Sequence, residues 1–88
     1  MVEKFKMKWK IGYYSHSVEK DIQRLEQSIK ASYFAITDRM LEEGPDFGLL
    51  YTKAMGKGLF EVRARGPGIG RGFFCTFSEN TIMVFTFL

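Results

Sequence analysis

One change of rhythm constrains this chain more than any other feature. Up to Gly44-Pro45 the apolar residues recur every three or four positions, and in the last third of the chain they recur every two. From Ser17 on, Val18, Ile22, Leu25, Ile29, Tyr33, Ile36 and Met40 form one stripe, with Phe34 and Leu41 beside it. That spacing marks an amphipathic helix. Two arrangements fit it: one straight helix from Val18 to Glu43, or a helical hairpin broken near Gln27-Ser28. Ser15 and Ser17 are both N-cap candidates, and Ser17, just before the periodic residues, is the one expected. At the far end Gly44 suits a C-cap and Pro45 cannot continue the helix.

After the break, "GLFEVRAR" sets Phe60, Val62 and Ala64 against Glu61, Arg63 and Arg65. Such alternation belongs to a strand with two unlike faces. "RGFFCTF" and "TIMVFTFL" follow across short turns, so strands are expected near Leu59–Arg65, Arg71–Phe77 and Thr81–Phe87, as an antiparallel meander. "KWKIGYY", Lys8 to Tyr14, reads as one earlier strand. Strand, helices, then three strands define an α+β fold: an antiparallel sheet with the helices on the face that bears Phe60 and Val62.

Eighty-eight residues make a single domain. Its 45% hydrophobic and 16% aromatic content fits a packed core and argues against disorder. A lone cysteine, Cys75, permits no internal disulfide, and a cytoplasmic setting is expected. No apolar run approaches the ~20 residues of a membrane helix, and the basic start "MVEKFKMKWK" lacks the apolar core of a signal peptide. A net charge of +3 allows a polyanionic partner without requiring one.

The segment "GPGIG", Gly66 to Gly70, fails the phosphate-loop patterns. No Lys-Ser or Lys-Thr follows at Walker spacing. Arg71 stands where the dinucleotide fingerprint needs its third glycine, and a strand follows where a helix is needed. It therefore reads as a hairpin connection, with glycines for positive φ. The flanking arginines are more informative. Arg63 and Arg65 share one strand face, and Arg71 opens the next strand near Arg65. Arginine holds phosphate in a planar, permanently charged fork. A solvated sheet face, with Glu61 partly neutralising Arg63, is the plainer reading of the same pattern and the one that pattern alone favours.

The remaining candidates have structural explanations. His16 sits at a helix start and Cys75 is a small strand residue. Glu42, Glu43 and Asp46 cluster at a helix end, and no metal-ligand set is visible. Phe73, Phe74, Phe77, Phe85 and Phe87 exceed what one sheet face can bury, so some must face outward.

Three words of the sequence match a known family. "KWKIGYYS", "EEGPDFGLLYTKAMGKGLFEVRARG" and "GRGFFC" resemble the HigB-like, phage-derived branch of the RelE/ParE toxin superfamily. The most specific run is "TKAMGKGLFEVRARG", with Met55 and Val62 at positions where leucine or isoleucine is usual. The resemblance covers nearly the whole chain from Lys8, so residues 1–6 read as an extension of one toxin domain spanning 1–88. It implies two N-terminal helices against the sheet and a cognate helix-turn-helix antitoxin. It also implies binding at the ribosome and metal-free, cofactor-free cleavage of mRNA, in which the ribose 2′-OH attacks the adjacent phosphate. The family's basic positions fall on Arg63 and Arg71, the expected catalytic residues, with Arg65 beside them as a third RNA contact. Three departures go with it. Thr86 stands where relatives often carry histidine. Gly72 replaces a bulkier apolar residue. The sequence stops at Leu88, short of a lysine-rich segment. The expectation is therefore a chain that binds more readily than it cuts. Two further readings stand beside the nuclease: a catalytically inactive toxin-fold protein that binds an antitoxin or RNA, and a small RNA-binding domain outside the family.

Overall fold

The structure, a computed structural model, describes residues 9–45, 52–77 and 80–87, without the side chain of residue 77. The proposed 1–6 extension and Asp46 lie outside these residues. The order of elements is β1 (Lys10–Tyr13), α1 (His16–Gln23), α2 (Gln27–Glu43), β2 (Thr52–Gly56), β3 (Leu59–Arg65), β4 (Ile69–Phe77) and β5 (Thr81–Phe87). The five strands form one sheet in the order β1-β5-β4-β3-β2. The expected meander is β3-β4-β5, with both outer strands at the expected bounds. The sheet is mixed, because β1 pairs with β5 in parallel. It also holds a strand the sequence reading missed, β2, which pairs antiparallel with β3.

The helical zone is a pair, and the chain breaks at Arg24–Glu26. The Glu26 carboxylate caps α2 by accepting from the backbone N–H of Ser28 (3.0 Å) and Ile29 (3.1 Å). The N-cap of α1 is Ser15 rather than Ser17: its extended backbone (φ −154, ψ 165) precedes a helix that begins two residues earlier than the apolar stripe. Its hydroxyl accepts from the Val18 N–H at 3.4 Å. Gly44 ends α2 at φ 90, with its N–H on the Met40 carbonyl. A Cβ there would also press on the Trp9 indole at 3.1 Å, so two constraints select glycine.

Both helices pack on one face of the sheet. Val18, Ile22, Tyr33, Ile36 and Met40 meet Val62, Ala64, Phe74, Ile82, Val84 and Phe87 in a single core. The Phe60 and Phe74 rings stack across the strands at 5.2 Å. One irregularity sets the faces of β5. Phe73 pairs with Thr86 but Phe74 pairs with Val84, so Phe85 is the extra residue of a bulge. Strict alternation would place Phe87 opposite to Ile82 and Val84. The bulge turns it onto their side and sends Thr86 to the other.

The glycines of "GPGIG" are not there for positive φ. Among the described glycines, only Gly44, Gly56 and Gly58 adopt it. Gly66 and Gly70 are required by close approach instead. A Cβ at Gly66 would meet Ile29 at 2.9 Å, and one at Gly70 would meet the Phe87 ring at 2.8 Å and Ile29 at 2.9 Å. The turn thus rests on the N-terminal part of α2, where Ser32 Oγ also accepts from the Arg65 N–H at 3.1 Å.

Candidate nucleic-acid interface

The sheet face away from the helices carries the charge. β3 and β4 place Arg63 directly across from Arg71, Glu61 across from Phe73 and Arg65 across from Ile69. Arg71 therefore faces Arg63, not Arg65 as the sequence suggested. β2 brings Lys53 across from Glu61 on the other side. Cys75, Met83 and Thr86 continue this face toward β5.

Glu61 is the pivot. Its Oε1 accepts from Arg63 Nε at 3.0 Å, and its Oε2 lies 3.5 Å from Arg71 Nε. The carboxylate side chain is only 10% exposed, against 25% for Arg63 and 54% for Arg71. Two guanidiniums compensate its burial, and in turn it screens two like charges that the register holds opposite one another. Each arginine approaches Glu61 through Nε, and among the described residues neither Arg63 nor Arg71 donates a hydrogen bond from its Nη groups. Arg65 is exposed at the end of β3.

The sequence reading thus located two arginines that the structure brings together and a third two residues along the same strand. It missed the sharing of Glu61 and it missed Lys53. The signal for Lys53 was present: "TKAMGKG" is a short strand running into a turn whose Gly56, Lys57 and Gly58 all have positive φ. His16 and Cys75 behave as ordinary residues. The His16 side chain is 94% exposed, with Nδ1 3.8 Å from Glu19 Oε1. Cys75 is a half-buried free thiol. A cleft between β1 and α1, lined by Tyr13, Tyr14, Ser15, His16 and Glu19, holds none of the arginines. Among the described residues no cluster of His, Cys, Asp or Glu is placed to hold a metal, and no helix is long and apolar enough to cross a membrane.

A mixed five-stranded sheet backed by two helices is a fold this chain shares with the toxin RelE. It superimposes on a solved structure of an arginine-to-alanine double mutant of the E. coli toxin RelE in the free state. The TM-score is 0.70 at 11% identity, covering 92% of this chain and 82% of that one. No curated protein matches the sequence significantly. The profile of the phage-derived protein Gp49-like family matches residues 20–88. The chain belongs to that family, a family of RelE-like toxins of toxin–antitoxin systems, and membership implies a cognate antitoxin.

Proposed function

We propose that this chain, acting as one domain over 1–88, is the HigB-like toxin of a type II pair and a ribosome-dependent mRNA endonuclease. The observation that carries the reading is the Arg63–Arg71 cross-strand pair on the face left open by the helices. Two guanidiniums whose Nη groups donate no hydrogen bond among the described residues suit a phosphodiester, and they stabilise the added charge of a pentacoordinate phosphate. Arg65 and Lys53 extend the positive strip along which a single strand can lie. In the proposed reaction the 2′-oxygen forms a bond to phosphorus and the 5′-oxygen bond breaks, which leaves a 2′,3′-cyclic phosphate and a 5′-hydroxyl. The protons exchanged at the two oxygens pass to and from water or a side chain of the ribosome-bound complex. The antitoxin is proposed to be a helix-turn-helix protein, and the site of action the cytoplasm.

The second reading is a toxin-fold protein that binds without cleaving. One observation favours it: the open face supplies cations, while its one carboxylate among the described residues already has both oxygens engaged. Induction of the chain in cells, with growth and transcript 5′ ends followed together, separates the two. Growth arrest with weak cleavage at ribosome-occupied codons, abolished by Arg71→Ala, is the expected result. Ribosome or antitoxin binding without new 5′ ends would establish the second reading. Neither binding nor arrest would overturn both.

A further inference from the structure

The register of β3 and β4 poses a problem that Glu61 solves. Arg63 and Arg71 stand directly opposite on adjacent strands, where like charges repel. Left alone, two long flexible side chains would splay apart. The Glu61 carboxylate lies lowest of the three: one oxygen accepts a hydrogen bond from Arg63 Nε, and the other stands within ion-pair distance of the same atom, Nε, of Arg71. That choice of atom matters. A guanidinium gripped at Nη1 and Nη2 has spent its fork, whereas one gripped at Nε keeps both Nη groups for a ligand. The triad carries one net positive charge, the complement of a singly charged phosphodiester.

We propose that Glu61 is a positioning residue of the RNA site, locking Arg63 and Arg71 into one outward-facing fork for a backbone phosphodiester. The proposal rests on the RNA-binding reading above. It differs from the plain view, in which Glu61 only neutralises charge, in the sign of one measurement. Glu61→Gln raises the net charge of the site by one. If Glu61 merely neutralises, the variant binds a phosphodiester more tightly. If Glu61 positions, the variant binds more weakly despite the added charge, because Gln offers one acceptor oxygen for two donors.

The probe is a 2′-deoxy dinucleotide with one internal phosphodiester and no terminal phosphate, which cannot be cleaved. It is titrated into 15N-labelled full chain while the arginine side-chain Nε–Hε signals are followed, and amide dispersion reports folding. Glu61→Asp is the second variant. It keeps the charge but is one methylene too short to span both Nε groups, so the inference stays testable if Glu61→Gln unfolds. The expected result is wild-type binding that shifts the Arg63 and Arg71 signals, and at least tenfold weaker binding in each folded variant. Equal or tighter binding by either folded variant would overturn the role of Glu61 and leave the RNA site standing. No binding by the wild type would overturn the site and this role together.

Discussion

Gly72 of β4 faces Phe87 of β5 so closely that a Cβ on Gly72 would lie 2.5 Å from the Phe87 ring and 2.9 Å from the Thr86 carbonyl oxygen. The Gly72 backbone is outside the left-handed region, so φ does not select glycine here. Space does. Gly72→Ala should destabilise the fold by ~1–3 kcal/mol, since overpacking outweighs the smaller gain from a stiffer unfolded chain. Phe87→Leu should lower stability on its own but soften the Gly72→Ala penalty, with a coupling of at least ~0.5 kcal/mol in a double-mutant cycle. Urea melts of the four proteins measure it, and additive effects would show that the ring is not the obstacle. Glycine at position 72 is thus tied to the inward turn of Phe87.

Arg63 and Arg71 should respond differently to removal. Arg71 is half-exposed at 3.5 Å from Glu61, so Arg71→Ala should change stability by less than ~1 kcal/mol. Arg63 is the closer, deeper partner at 3.0 Å. Arg63→Ala leaves a nearly buried carboxylate with one distant cation, and should cost ~1–3 kcal/mol. Both variants should reduce the salt slope of single-strand binding by ~0.7. Chemical denaturation and binding at several salt concentrations test the two effects separately. Equal stability losses would show that Glu61 depends on Arg63 no more than on Arg71.

The β2–β3 turn contains one residue in the wrong conformation for its type. Lys57 has φ 57 between Gly56 and Gly58, at 97 and 80. A left-handed L-residue costs ~1–2 kcal/mol, and asparagine tolerates the region better than lysine. Lys57→Asn should stabilise by ~0.5 kcal/mol, a rise of a few degrees in Tm at this chain length. Gly58→Ala in the same turn should do the reverse. Thermal melts of both report directly, and a destabilised Lys57→Asn would mean that the lysine side chain has an overriding role.

These elements show where the sequence is readable and where it is not. Parity along "FEVRAR" put Arg63 and Arg65 opposite to Val62 and Ala64, because alternation is a local property of strands. The partner of Arg63 was not local. It depended on a turn of Gly66, Pro67 and Gly68 that sets Arg63 against Arg71, and the sharing of Glu61 followed only from that register. The face of Phe87 was hidden for a related reason: a bulge breaks alternation at Phe85, and no single residue there announces it. The parallel pairing of β1 with β5 joins the two ends of the domain, which no short-range pattern encodes. β2 is short and exposed along most of its length, so it lacked the apolar signature that identified the others.

Tyr33 provides a pH test of the core. It is fully buried in α2, its hydroxyl 3.0 Å from that of Tyr13, with its ring edge-on to Phe87 at 5.2 Å. Burial, followed by the hydrogen bond and charge interaction with Tyr13, pushes the phenol far above its ordinary value. The folded state therefore holds a proton that the unfolded chain releases near pH ~10. The sign follows: the stability contributed by neutral Tyr33 is fully present below pH ~10 and falls above it, because the unfolded state then binds fewer protons. The slope approaches ~1.4 kcal/mol per pH unit. Tyr33→Phe should lower stability at neutral pH through loss of the Tyr13 hydrogen bond, by ~1 kcal/mol, yet flatten the alkaline decline. Urea midpoints of both proteins between pH 8 and 11 should converge and then cross. Parallel declines would mean that Tyr33 ionises in the folded state as readily as in the unfolded one, and that water reaches the hydroxyl pair.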